Sequence, residues 1–204
     1  MIPSPSFKLE RELHKQGFTF VAGADEAGCG AWAGPVFASA VILPLNSRIK
    51  LIRDSKLLSI NQRELVYESI IFKADWAIGQ ASVDEIDELN IRQASFLATR
   101  RAVKKLKQQA EILLSDGFQI PSLDIPCKAI IRGDKKVKSI AAASIIAKVS
   151  RDRYMRELHI SFPEYGFDRH VGYGTRFHQG ALIEFGPCEH HRKSYKPIKG
   201  LKLR

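Results

Sequence analysis

No apolar run in this chain approaches the roughly 20 residues of a membrane-spanning helix. The start, Met1-Ile2-Pro3-Ser4-Pro5-Ser6, lacks the apolar centre of a secretory leader. These absences argue against a membrane protein, and a cytoplasmic location is expected. Cysteine is scarce: Cys29, Cys127 and Cys188 are odd in number, far apart and form no C-x-x-C pair. Neither a disulfide framework nor a zinc knuckle is indicated. Cys188-Glu189-His190-His191 offers zinc-ligand types but no second pair at a familiar spacing. Acid is in the minority, with 22 Asp plus Glu against 32 Lys plus Arg and a formal net charge of +10. That balance favours a polyanionic partner such as nucleic acid. Repeats and low-complexity segments are missing too, so 204 residues at 45% hydrophobic composition point to one well-buried core.

What the chain has is an alternation between the two secondary-structure periods, which predicts an α/β layer architecture. Strands are expected at Phe18 to Ala24, Val36 to Leu43, Trp76 to Val83, Ile112 to Ser115 and Lys128 to Ile131. A glycine-rich segment ending in Gly34-Pro35 separates the first two and predicts a hairpin, whereas helix-length segments between the later strands predict crossovers. A mixed five-stranded sheet follows. Helices are expected over Phe7 to Gln16, Asn61 to Lys73, Asn90 to Ala110 and Val137 to His159. The third carries Arg100, Arg101, Lys104, Lys105 and Lys107, read as a solvated face. The fourth opens with the small-residue tract Ser139 to Ala147, suited to close packing on a sheet. From Gly186 the tail has six Lys and Arg against one Glu and is expected to be partly mobile. One domain over 1–204 is expected, with about 160–204 forming a helical extension and basic tail.

The chemistry concentrates in acids at strand ends. Gly23-Ala24-Asp25-Glu26-Ala27-Gly28-Cys29-Gly30 sets two adjacent carboxylates among glycines just after an apolar run. Neighbouring acids repel each other unless a cation, a proton or hydrogen bonds compensate them. Asp116 in Ser115-Asp116-Gly117 and Asp134 in Arg132-Gly133-Asp134 end two further strand candidates. Ligands of α/β sheets collect beyond strand ends. Hard oxygen ligands with few histidines suit Mg²⁺ or Mn²⁺ better than zinc. Clustered acids, a basic surface and no nucleophile dyad fit two-metal phosphodiester hydrolysis. Phosphate-loop readings fail: after Gly23 and Gly28 the required lysine and hydroxyl are replaced by Cys29 and Gly30, and the third glycine of a dinucleotide fingerprint is missing.

From about Val21 to Lys196 these residues resemble bacterial ribonuclease HII. The resemblance rests on Gly23 to Gly28 with Gly34-Pro35-Val36, Asp54-Ser55-Lys56-Leu57-Leu58-Ser59, Ile86-Asp87 with Asn90-Ile91, Ser115-Asp116-Gly117 and Gly133-Asp134. It continues through Ser139 to Asp152, Tyr165-Gly166-Phe167, His170, Gly172-Tyr173-Gly174-Thr175 and His191-Arg192. It implies an RNase H-like fold: a mixed five-stranded sheet flanked by helices, with a small C-terminal helical region. It also implies cutting the RNA strand of RNA–DNA hybrids and cutting 5′ of a ribonucleotide embedded in duplex DNA, leaving 5′-phosphate and 3′-hydroxyl ends. By the family pattern Asp25, Glu26, Asp116 and Asp134 are the catalytic, metal-binding acids, with Asp124 a weaker rival for one place. Lys56, Lys148 and Arg151 are expected to contact phosphate, the last two about one helical turn apart. Tyr173 resembles the family tyrosine that packs on the sugar, and His170 and Arg192 are candidates to support it.

This chain departs from the family at Gly28-Cys29-Gly30, where Gly-Arg-Gly is usual, and at Val171, where lysine is common. The amides of Gly28 and Gly30 can still reach a sugar, but Cys29 brings no guanidinium. A reactive Cys29 thiol is disfavoured, since adjacent carboxylates raise a thiol pKa. A non-catalytic or weakly active hybrid-binding protein is the alternative function. A monomer is expected. The tail has no obvious clamp-binding motif, which leaves a sliding-clamp partner open.

Overall fold

The structure is a computed structural model that describes residues 4–201. Helix α1 (Lys8–Lys15) leads into strands β1 (Val21–Ala27) and β2 (Val36–Ile42), then α2 (Ile60–Lys73), β3 (Asp75–Ala81), α3 (Val83–Leu89) and α4 (Ile91–Lys104). Strands β4 (Ile112–Asp116) and β5 (Cys127–Ile130) follow, then α5 (Lys138–Ser161), α6 (Phe167–His170) and α7 (Arg176–Phe185). The five strands form one sheet in the order β3-β2-β1-β4-β5. It is mixed, as expected: β1 pairs antiparallel with β2 and parallel with β4, and β4 pairs parallel with β5.

One connection differs from the expected crossover, because β2 and β3 are antiparallel, with Ile42 opposite Asp75, although α2 lies between them. Segment 43–59 carries the chain back along the sheet to the end where Asp25 lies, and α2 returns it, so the excursion has no net advance. A helix of 14 residues rises about 21 Å, enough for the return leg. The outward leg is useful in itself: it delivers Lys56 to the acids.

Helix α5 covers one face of the sheet. Its Ala141, Ala142, Ala143 and Ala147 are fully buried and keep the helix close to the strands. Contact is close at Gly23, where any side chain would run into the backbone of Ser139 and Ile140. The start of α5 has no cap of its own. Glu10 of α1 supplies one, accepting the Ser139 N–H at 2.9 Å, which satisfies one of the donors a helix start leaves unpaired. On the opposite face, Ala94 and Ala98 of α4 pack with Val36, Ala38, Ala81 and Ile86.

The stretch expected as one helix from Asn90 is preceded by a separate helix, α3, capped by a reciprocal Ser82–Glu85 box. Asn90 breaks the two apart at φ 69° and caps α4 through its side chain. The C-terminal part also differs from expectation. Segment 186–198 folds back: Cys188, His191, Arg192 and Ile198 are buried with Ala33, Met155, Tyr165 and Phe167. Basic residues predicted mobility there, but one of them, Arg192, is an interior anchor.

Candidate active site

Strand β1 ends on the acid pair, and strand geometry sends consecutive side chains to opposite faces. Asp25 turns toward α5, where the Ser144 hydroxyl favours its ionised form; Glu26 turns toward α4, near Ser95 and Cys29. The parallel register pairs Ala24 with Ser115, so Asp116 arrives one residue later at the same sheet end. Asp116 Oδ1 accepts the Gly133 N–H at 2.6 Å, tying β4 to the turn Gly133–Lys135 that carries Asp134. All four predicted acids line one cavity of about 270 Å³.

The electrostatics of this cavity are unfavourable for four negative charges. Burial, then repulsion from Glu26 and Asp116, raises the Asp25 carboxyl well above the ordinary range. Burial and Asp116 raise Glu26, and burial, Asp116 and Asp54 raise Asp134. Among the described residues no three acidic, histidine or cysteine side chains are gathered tightly enough to hold an ion as they stand. The donor set nevertheless fits a hard divalent cation, being all oxygen and in need of compensating positive charge.

Cations stand on the rim. Asp54, buried, accepts the Lys56 N–H at 2.9 Å and starts the short turn that presents the exposed Lys56 to the cavity. Lys148 lines the same cavity but is paired with Asp152 at 2.7 Å, and burial lowers its pKa. Arg151 does not match the expected phosphate role. Its guanidinium is 1% exposed and donates to the carbonyls of Pro35 at 3.1 Å, Val171 at 2.9 Å and Ala33 at 3.1 Å. It sits 5.8 Å beneath the Tyr173 ring and fills the space a side chain at Gly28 would need. The reason is position on α5: one turn beyond Lys148, the helix has already passed under the loops.

Tyr173, Gly28, Cys29 and Gly30 all line the cavity. Gly28 adopts φ 98°, a left-handed conformation that glycine tolerates. The Cys29 thiol lies 3.7 Å from Glu26 and is pushed up to about 12 by burial and that carboxylate, so it is a protonated packing group. The Cys29 carbonyl is held by Arg192 at 3.1 Å and the Tyr195 hydroxyl at 2.7 Å, and Arg192 also donates to Gly34 O at 3.0 and 2.9 Å. Arg192 thus supports the loop from within. Asp124 is exposed in the β4–β5 connection and lines a different cavity with Arg100, Lys104 and Lys107. Arg101 is engaged by Glu85 at 2.7 Å, in keeping with a solvated helix face. The residues that sequence reasoning left without a role are Asp54, Ser95 and Ser144; Asp54 opens a quoted motif, but its side chain caps a turn that no periodicity announces.

A ribonuclease HII family model matches residues 22–198. The chain is 46% identical to a ribonuclease HII from Caldicellulosiruptor saccharolyticus over 190 residues, 93% of each chain. It is 49% identical to one from Chlamydia muridarum over 193 residues, 94% of this chain and 88% of that one. Among solved structures, the RNase HII of Archaeoglobus fulgidus, determined in complex with PCNA, is similar with a TM-score of 0.74 at 27% identity, covering 87% of this chain and 95% of that one. Five strands in this order, four acids at one sheet end and a match across almost the whole length lead to one conclusion: the chain belongs to the ribonuclease HII family of hydrolases.

Proposed function

We propose that this chain hydrolyses the RNA strand of RNA–DNA hybrids and cuts 5′ of ribonucleotides embedded in duplex DNA, leaving 5′-phosphate and 3′-hydroxyl ends. The observation that carries this reading is the convergence of Asp25, Glu26, Asp116 and Asp134 on one cavity whose rim holds Lys56, Lys148 and Tyr173. Mg²⁺ or Mn²⁺ bound by the four acids would supply water activation and neutralisation of a leaving oxygen. The acids orient that chemistry: Asp25 and Glu26 stand on the two faces of β1, and Asp116 beside them is locked by the Gly133 amide. Lys56 is the exposed cation best placed to meet a phosphate flanking the scissile one, while Lys148 contributes from within its pair with Asp152. The Tyr173 ring, 38% exposed, offers an apolar face to a sugar, and the amides around Gly28 and Gly30 offer donors. All four acids come from one chain, so a monomer suffices.

The test is a duplex carrying one ribonucleotide, incubated with the protein and Mg²⁺. Scission at the 5′ side of the ribonucleotide is expected, lost in EDTA and in Asp116→Asn, with hybrid binding retained by that variant. Binding without metal-dependent scission in the unmodified protein would establish the non-catalytic alternative instead.

A further inference from the structure

Three histidines are buried together in the C-terminal layer: His170 at the end of α6, His178 in α7 and His191 beyond it. Their ring nitrogens have partners that fix each tautomer. His178 Nδ1 faces the Tyr173 carbonyl at 3.0 Å. A carbonyl only accepts, so Nδ1 carries the hydrogen and Nε2 of a neutral ring is a bare lone pair. The partner of that lone pair, 2.9 Å away, is His191 Nε2, which must therefore donate. His191 Nδ1 is then an acceptor, and the Cys188 backbone N–H meets it at 3.0 Å with the thiol at 3.2 Å. The Cys188 carbonyl lies 3.3 Å from the same nitrogen and would ask for the opposite tautomer, but that tautomer would set two lone pairs against each other between the rings. His170 is ordered by the same logic, donating from Nε2 to Tyr165 O at 2.7 Å and accepting Gly172 N–H at 3.2 Å, and it stacks on His178 at 4.6 Å.

Hydrogen bonds therefore run in one direction, from the Cys188 N–H through His191 and His178 into the Tyr173 carbonyl. Burial, which lowers His178 to about 4 and His191 to about 3, keeps both rings neutral. The receiving end is pinned at Gly172, whose carbonyl accepts the Trp32 N–H at 2.8 Å. Tyr173 itself stands between two glycines, one of them at φ 85°; among the described residues its backbone bonds are Tyr173 N–H to His170 O and Thr175 N–H to Tyr173 O, both 2.9 Å, so the His178 bond adds a side-chain hold on its carbonyl.

We propose that His178 and His191 are positioning residues: their proton-ordered pair fixes the Tyr173 backbone and thereby sets how selectively the site accepts a sugar at the cleavage point. The inference rests on the reading of Tyr173 as the sugar-contacting residue. It is tested with isotope-labelled full-length protein and with kinetics on two substrates, an all-RNA hybrid and a single-ribonucleotide duplex. Long-range ¹H–¹⁵N spectra are expected to give the Nδ1–H tautomer for His178 and the Nε2–H tautomer for His191; the reverse assignment for either ring overturns the proposal. Removing the donor in His178→Leu should raise KM on the single-ribonucleotide duplex about 10-fold, with kcat falling no more than about 3-fold, as one lost positioning bond predicts. His178→Asn, whose amide can replace Nδ1–H, should recover most of that loss. Tyr173→Ala is the reference. If it leaves the preference between substrates unchanged, the reading of Tyr173 fails and takes the inference with it. If it shifts the preference and His178→Leu does not, the inference alone fails. Should His178→Leu not fold, the tautomers of the unmodified protein decide.

Discussion

Replacing Asp25 by asparagine should stabilise the metal-free protein while destroying its activity. Asp25 is 9% exposed, and burial is the first cause of its raised pKa, ahead of repulsion from Glu26 and Asp116. The asparagine side chain of Asp25→Asn keeps an Oδ1 to accept the Glu26 N–H, a bond of 2.8 Å in the unmodified protein, loses the buried charge, and adds an amide donor facing the remaining acids. Leaving a buried polar or charged group without a compensating partner costs about 1–3 kcal/mol or more, so relief of that order is expected. For a chain of this size that is a rise in melting temperature of roughly 3–10 °C. The measurement is thermal melting in EDTA at pH 7.5 and at steps down to pH 4. A carboxyl raised in the folded state costs nothing below its unfolded value near 3.8; the cost grows as pH rises through the interval up to the folded value and is complete above it. The advantage of the variant should therefore be largest at pH 7.5 and fade toward pH 4. Acid destabilises both proteins through the buried neutral histidines, a contribution that cancels in the difference. Adding Mg²⁺ should offset most or all of that advantage, since an ion at 100 times its Kd stabilises the unmodified site by about 2.7 kcal/mol. A variant that melts at or below the unmodified protein in EDTA, or whose advantage grows on acidification, would refute the account of a strained acid cluster.

Other substitutions separate roles that look alike in sequence. Arg151→Met should cost about 3–5 kcal/mol in denaturant unfolding, because it leaves the carbonyls of Ala33, Pro35 and Val171 without their buried charged donor; a variant of normal stability and raised KM would return Arg151 to phosphate binding. Lys56→Ala should leave stability within about 0.5 kcal/mol and weaken duplex binding, lowering the salt slope by about one counterion; an unchanged slope would remove Lys56 from the phosphate path. Cys29→Arg should raise cleavage at a single ribonucleotide relative to the all-RNA hybrid by about 10-fold, the worth of one charge-assisted contact. An unchanged ratio would mean that this side chain does not set junction preference.

The layer architecture and the sheet end that carries the acids were legible because both rest on short-range signals: apolar runs at strand and helix spacing, and acids beside glycines just after those runs. The direction of β3 was not, since a helix between two strands ordinarily signals a parallel crossover and nothing local in segment 43–59 reveals that it doubles back. Arg151, expected at a phosphate, is instead buried, whereas Arg192, expected as a support, does hold Cys29 O and Gly34 O from within. A guanidinium one turn beyond Lys148 in a basic stretch reads as a phosphate contact, and only the three-dimensional course of segment 33–35 shows that its carbonyls need a donor. The histidine pair was invisible as a pair, because His178 and His191 sit on different elements and meet only through the fold.

The anchoring of Gly34 O and Cys29 O by Arg192 has a consequence in time. The residues it joins are separated by 158 and 163 positions, so the loop emerges from the ribosome long before its support. At roughly 5–20 residues per second that interval is about 8–30 s. All four acids are synthesised before it ends, and the loop beside them gains its Arg192 support only afterwards. A nascent chain thus acquires its acids before it has the scaffold for choosing where to use them.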